Sequence, residues 1–507
     1  MTEIINMQAQ FDKPLDIVKG NEDYFNLIQD LEFIEKSIEN CSLDTIYMQY
    51  FVDCASSNSS KSLSRKQILK AQSEGLFILR SSILRKKLKL NLRPYASALA
   101  ATPLYQKFCG INRWLGSTVP SKSKINTLEN SLSEEFLNEV NAVTNKEIIF
   151  DDMFCKDVGF QEGFEMTDLY ADTTCVKANI HFPVDWVLFR DLIRTSMLKV
   201  QMIRDGGIKN RMSEEPNTYL SGINSLCMEM HAAYNYRDAS KKRKAVFRRM
   251  KKYLKATLDH AGRHLVLFQQ EWQKYGFSHS KATEIINSLT DILGKREEVV
   301  RIANKRIISE KFVKREDKIL SIYEGEVHII KRSKHSVKSE FGNTLQIVEQ
   351  QDGFIVDCSL LETYSPGDPK LAIKALEKIR QKYSLKDVLS FTGDRGYDSK
   401  EIGVWIQEHN DKRNDTIDNT ITRKNVKELQ EKMQITYYKN KQKRRATTEA
   451  KIAHIKEISQ NPMKQKGIQN RKIHMGLSVL THNLFKFARM NRIQLAKKEK
   501  DQLREAS

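Results

Sequence analysis

The strongest constraint on this chain is a break in the period of its apolar residues. Segments rich in β-branched and aromatic residues occur near 165–185 and again from 318 onward. Between them, from about 186 to 312, the apolar residues recur at helical spacing. A strand cannot bury its apolar face alone, so the flanking segments are expected to meet in one sheet, with the helical run as an insertion. The first β-type segment, EMTDLYADTTCVKANIHFPVDW, reads as a strand or two ending near Asp185. After the insertion, KILSIYEGEVHIIKRS, EFGNTLQIVEQ and GFIVDCSLLETY read as a meander, with Gln351-Asp352-Gly353 as a tight hairpin turn. The break SPGDP leads into a helix, KLAIKALEKIRQKY, then a strand, VLSFTGD, then a short helix, SKEIGVWIQEHN. Residues 411–445 are polar without a clear pattern, a helix starts at about 446, and HMGLSVLTHNLFKFARMNRIQLAKK forms a last one. Strand, helical insert, strand, strand, helix, strand, helix describes an α/β layer with a mixed sheet and flanking helices.

The domain reading follows. Residues 1–150 form a helical N-terminal region, 151–185 open the core, 186–315 are a basic all-α insertion, 316–495 complete the core, and 496–507 are a loose charged tail. Within the N-terminal region, IQDLEFIEKSIEN, the basic SRKQILKAQSEGLFILRSSILRKKL and LENSLSEEFLNEVNAV read as helices, with a break at STVPSKSKIN. Such a set is either a helix-turn-helix DNA reader or an ordinary bundle. The insertion contains KKRKAVFRRMKKYLK, where Val246, Phe247, Tyr253 and Leu254 interrupt the charge. That pattern is an amphipathic basic helix. Lys241, Lys242, Arg243, Lys244, Arg248 and Arg249 then become candidates for phosphate contact, against a plain solvated face.

Lysine and arginine outnumber acids by 84 to 64, giving a net charge of +20, which points to a polyanionic partner. No apolar run approaches the roughly 20 residues of a spanning helix, so no membrane is expected. The start, MTEIINMQAQFDKP, lacks the basic and apolar blocks of a secretory signal. Seven scattered cysteines without C-x-x-C pairs suit a reducing cytoplasm and form neither a disulfide framework nor a zinc finger.

Three acids carry the chemistry. Asp172 lies inside the first strand, Asp394 at the end of the strand VLSFTGD, and Glu449 on the helix that follows. If those two strands are neighbours and the helix packs at their edge, the three carboxylates meet. Hydrolysis or transfer of a phosphodiester needs an activated nucleophile, a stabilised leaving oxygen and charge shielding, which two Mg²⁺ ions about 3.5–4 Å apart supply. Mg²⁺ takes carboxylate oxygens, so no Cys or His is required. Arg445, Glu449 and Lys456 share one stripe of a helix, where they read either as a phosphate track or as surface ion pairs of small value.

Taken together, DTT-x₅-IHFPVD at 172–185, EFGNTLQIVEQQDGFIVD at 340–357, GDRGYDS at 393–399 and R-x₃-E-x₆-K at 445–456 resemble the bacterial insertion-sequence DDE transposases. The resemblance covers about 165–490, and KFCGINRWLGSTVPSKSKIN fits the usual N-terminal region more loosely. It implies an α/β ribonuclease-H-like core plus an all-α N-terminal region and an all-α insertion. It implies Asp172, Asp394 and Glu449 as catalytic and metal-binding residues, with two Mg²⁺ ions for which Mn²⁺ can substitute. It implies Arg445 and Lys456 as contacts to the transposon end, a homodimer on paired ends, and a nucleoid-associated protein in a bacterial cytoplasm. Terminal inverted repeats and target DNA would be the substrates. Gln442 stands where some relatives place a Tyr, and Val184 replaces the Thr of P-T-D; neither change touches the triad. Asp185 reads as structural or as support behind the triad, and His181 as packing against the strand turn. Gly393 and Gly396 leave room for close backbone approach, and Arg395 and Asp398 read as a local pair. A ribonuclease-H-fold nuclease that cuts without joining, and a non-catalytic regulator derived from a transposase, remain alternatives.

Overall fold

The computed structural model describes residues 4–5, 20–59, 61–111, 118–331, 339–383, 385, 387–413 and 416–505. Residues 112–117 of the KFCGINRWLGSTVPSKSKIN stretch and the last two of the expected tail lie outside the described residues. The chain divides into two compact units. The first is Met1–Lys177 with Asn343–Ser507, and the second is Ala178–Gly342.

The first unit opens with α1 (Glu22–Asn40), α2 (Leu43–Ser57), α3 (Arg65–Lys87), α4 (Leu92–Ala101), α5 (Pro103–Phe108), α6 (Lys122–Asn130), α7 (Glu134–Thr144) and α8 (Asp152–Asp157). The helix expected over 128–143 is two helices. Ser131-Leu132-Ser133 separates them, and the Ser133 hydroxyl caps α7 by accepting from Phe136 N at 3.1 Å. In α3, a capping box between Ser64 and Gln67 fixes the start. Its later cations turn inward. Arg80 is buried between Glu35 and Asp44, Arg85 is buried against Glu129 at 2.7 Å, and Lys86 is buried beside them. These three cations are therefore not available to a phosphate backbone.

In the first unit the sheet comprises β1 (Asp168–Lys177), the part of the long strand Ser339–Gln350 that begins at Asn343, and three later strands. In the second unit β2 (His328–Lys331) pairs antiparallel with residues 339–342 of that long strand, β3. From Asn343 on, β3 neighbours β1 and pairs antiparallel with β4 (Ile355–Leu360), with a bulge between Val348 and Glu349. Gly353 closes their hairpin at φ +86°, a conformation that favours glycine. α13, as α-helices are numbered along the whole chain, spans Asp368–Tyr383. It leads to β5 (Ser390–Thr392), parallel to β1, then α14 (Lys400–Arg413) and β6 (Asp418–Asn419), parallel to β5. α15 (Val426–Gln434), α16 (Thr436–Ile458) and α17 (Ile468–Glu505) complete the unit.

Several boundaries differ from the sequence reading. The first strand stops at Lys177, because Ile180–Pro183 form a loop rather than a strand. Residues 318–327 are not strand, and β2 is four residues long. The stretch 411–445 holds β6, α15 and the first ten residues of α16. Tyr438 anchors that early turn, its hydroxyl donating to Ile421 O at 3.0 Å. The closing residues are helical as far as Glu505, where α17 ends, and Lys498 Nζ donates to Gly159 O.

The second unit holds α9 (Asp185–Asp205), α10 (Pro216–Ala232), α11 (Ala239–Glu271) and α12 (His279–Ala303). They share one core that includes Phe189, Ile223, Phe247, Leu254 and Leu289. Among the described residues no helix is long and apolar enough to cross a membrane.

Candidate active site

The pairing of β1 with β5 decides where two of the acids sit. Asp168 is level with Ser390 and Tyr170 with Thr392 in a parallel register. Two residues beyond each of the last pair stand Asp172 and Asp394, so the register carries the two carboxylates to the same height on adjacent strands. β5 ends there because Gly393 and Asp394 turn the chain into a short 3₁₀ segment, Arg395–Tyr397. The Asp394 carboxylate caps that turn by accepting from Gly396 N at 2.8 Å. Tyr397 is fully buried against the turn, and a Cβ on Gly393 would stand 2.9 Å from its ring. The Asp172 carboxylate is held in the same way, accepting from Thr173 N at 2.7 Å. Both acids are half-buried on rigid backbone.

Glu449 arrives on α16. Lys441 pairs with Asp168 at one end of β1, and Lys456 Nζ donates to Thr174 Oγ1 at 2.6 Å near the other. The helix between those lysines is about 22 Å long at 1.5 Å per residue. The strand between their partners is about 20 Å long at 3.3 Å per residue. Helix and strand thus run side by side in the same direction, and interpolation puts Glu449 at about the height of Ala171, next to Asp172. Ile452 and Ile455 bury the inner face of α16 with Val176. Arg444 and Thr448 grip the buried Glu349 of β3 at 3.0 and 2.7 Å. Gln442 is a clamp: its Nε2 donates to Thr420 O at 2.6 Å, and its Oε1 accepts from Thr422 Oγ1 at 2.6 Å. Arg445 Nε reaches the same Oε1 at 3.4 Å. Glu449 itself is exposed.

The electrostatics agree with this geometry. The Asp172 carboxyl is pushed up to about 6, first by burial and then by the charges of Asp394 and Glu449, while the Thr173 amide and Arg445 pull it down. One acid that the sequence pattern did not single out joins them. Asp368, the first residue of α13, accepts from Thr173 Oγ1 at 3.1 Å, and its carboxyl is pushed up by burial and by Asp394. No family model, no curated protein and no solved structure matches this chain.

Among the described residues no group of three or more His, Cys, Asp or Glu stands in a ready-made metal geometry. The donor set is nonetheless carboxylate alone, and among the described residues no lysine or arginine ion-pairs with Asp172, Asp368, Asp394 or Glu449. Clustered acids that no cation pairs with directly, though Arg445 and Lys424 act on them from a distance, suit a hard divalent cation.

The other expected residues divide. Arg445 and Lys456 lie on α16 with Glu449, and Lys456 is partly committed to Thr174. Asp185 and His181 belong to the second unit, apart from the triad's own unit. Asp185 pairs with Arg306 at 2.7 Å, and His181 Nε2 meets Asp191 at 2.8 Å. Asp398 does not pair with Arg395; it takes Arg423 at 3.0 Å and the Lys424 amide at 2.8 Å, which lie nearer once the chain has turned back from β6. On α11, Lys241 and Arg248 are exposed. Lys244 pairs with Glu310 at 3.2 Å and Arg249 with Glu229 at 2.5 Å. Lys242 and Arg243 lie over the rings of Tyr236 and Tyr234.

Proposed function

We propose that this chain is a DDE transposase of an insertion sequence: a metal-dependent enzyme that cuts the DNA ends of its element and joins the freed 3′-OH to target DNA. One observation carries the reading. The register of β1 with β5, and the course of α16 along β1, gather Asp172, Asp394 and Glu449 from distant parts of the sequence. The mixed sheet with flanking helices is the coarse arrangement that a ribonuclease-H-like core requires. The net charge of +20 supports a nucleic-acid substrate.

In this reading Asp172, Asp394 and Glu449 hold Mg²⁺. The chemistry such an ion would supply there is activation of the attacking oxygen and shielding of the phosphate charge. The chain's own residues fix the geometry. The Thr173 and Gly396 amides orient the two aspartates, and the rigid strands keep them adjacent. Glu449 is the adaptable third acid, exposed on its helix. Arg445 stands beside the acids, where it meets the charge of a phosphodiester running along α16. Within the second unit, Lys241 and Arg248 offer phosphate contacts of their own. Two copies acting on paired ends would complete the assembly.

Labelled DNA carrying the element's own ends tests this, with wild type and Asp394→Asn compared in Mg²⁺ and in EDTA. Metal-dependent cutting by wild type, lost in the variant while DNA binding survives, is expected. Binding without cutting by wild type, on verified ends, would leave a regulator instead. Cutting without a joined product would leave a nuclease.

A further inference from the structure

The acidic site holds one carboxylate for which the triad has no role. Asp368 follows Gly367, whose φ of +104° turns the chain sharply into α13. That turn aims the carboxylate back at β1 and at the loop after β5. Its Oδ1 accepts from Thr173 Oγ1 at 3.1 Å, while Thr173 N donates to Asp172 Oδ1 at 2.7 Å. One threonine thus ties Asp368 to Asp172. On the other side, Asp368 Oδ2 and Asp394 Oδ1 both lie within 3.0 Å of the point where a Cβ would stand on Gly396. The two oxygens are separated by no more than twice that distance. Gly396 is what permits this approach, since any side chain there would strike both carboxylates.

We propose that Asp368 is a positioning residue of this site, fixing Thr173 beside Asp172 and adding its charge next to Asp394, so that the divalent cation is held more tightly. The inference rests on the metal-dependent reading above and names a residue which that reading does not use. A shorter side chain at 368 would leave the Thr173 hydroxyl without its acceptor, whereas asparagine keeps an accepting oxygen and removes only the charge. Either change would remove one of the negative charges that favour a cation over an empty site.

The test is Mn²⁺ binding to the full chain, read from the loss of the free-ion paramagnetic resonance signal, with thermal unfolding as the control for folding. Wild type is expected to bind. Asp368→Asn is expected to weaken binding about tenfold or more, and Asp368→Glu to recover most of that loss. Thr173→Val keeps every charge and removes only the hydrogen bond; it is expected to weaken binding about threefold, and it carries the test if Asp368→Asn does not fold. Unchanged Mn²⁺ affinity in Asp368→Asn, or in Thr173→Val where that variant stands in, would overturn the inference and leave the triad standing. No Mn²⁺ binding by wild type would overturn the triad reading and this inference with it.

Discussion

Two helices of this protein look alike as text and behave oppositely in space. α3 ends in Arg80, Arg85, Lys86 and Lys87, and α11 begins with Lys241, Lys242, Arg243 and Lys244; both interleave cations with apolar residues. In α3, Arg80 and Arg85 face the bundle, where Glu35, Asp44 and Glu129 meet them, and Lys86 is buried beside them, while Lys87 is exposed. In α11 the apolar face is buried through Val246, Phe247, Met250 and Leu254, and the cations stand at the surface or on nearby aromatic rings. Charge density alone does not identify a phosphate-binding helix. What separates the two is burial: acids from other helices meet Arg80 and Arg85 inside the bundle, while the α11 pairs Lys244–Glu310 and Arg249–Glu229 lie at the surface.

The sharpest way to break this comparison is to remove an internal partner. Glu129→Ala leaves the Arg85 guanidinium buried without its counter-charge, and denaturant unfolding is expected to show a loss of about 3–5 kcal/mol. The double variant Lys241→Ala/Arg248→Ala is expected to stay within about 0.5 kcal/mol of wild type. Equal losses would erase the distinction between the helices.

The same pocket yields a pH dependence. His474 is buried beside Arg85, whose Nη2 donates to its Nδ1 at 3.2 Å. Burial, then the charges of Lys86 and Arg85, hold its imidazole well below the ordinary value of 6.5. The folded state therefore keeps it neutral while the unfolded chain protonates it. Its contribution to stability is full above pH 6.5 and is lost progressively as the pH falls below that value toward the lower folded-state value. Unfolding free energies measured between pH 7.5 and 5.5 are expected to decline, and His474→Gln to remove about one proton from that slope.

Smaller effects test the outward helix. DNA affinity measured against salt is expected to lose about two counterions of slope in Lys241→Ala/Arg248→Ala. Arg249→Ala breaks a surface pair with Glu229, and no measurable shift in the unfolding midpoint is expected.

How much of this was legible in the sequence depends on distance along the chain. Asp394 was readable because a short apolar run ending in Gly-Asp is a local signal, and the helical character of 186–312 was readable from its period. The buried state of Arg80 and Arg85 was not, because their partners lie more than 35 residues away in sequence. β6 is two residues long, too short to show alternation. The start of α16 was missed because TYYKNKQKRR has almost no apolar stripe; contacts made by Tyr438, Lys441 and Gln442 hold it instead. Asp368 looked like an ordinary acid at the head of a helix. Only folding brings Thr173 and Gly396 to it.

The central claim is that three distant acids form one cation site, and iron-directed cleavage of the polypeptide tests it most directly. Fe²⁺ replaces Mg²⁺ in the full chain, peroxide and ascorbate generate hydroxyl radicals at the bound iron, and the fragments are identified by mass. The account predicts cuts clustered near Asp172, in the turn around Asp394 and near Glu449, suppressed by excess Mg²⁺ and lost in Asp394→Asn. Cuts confined to other regions, or a pattern indifferent to Mg²⁺, would contradict it.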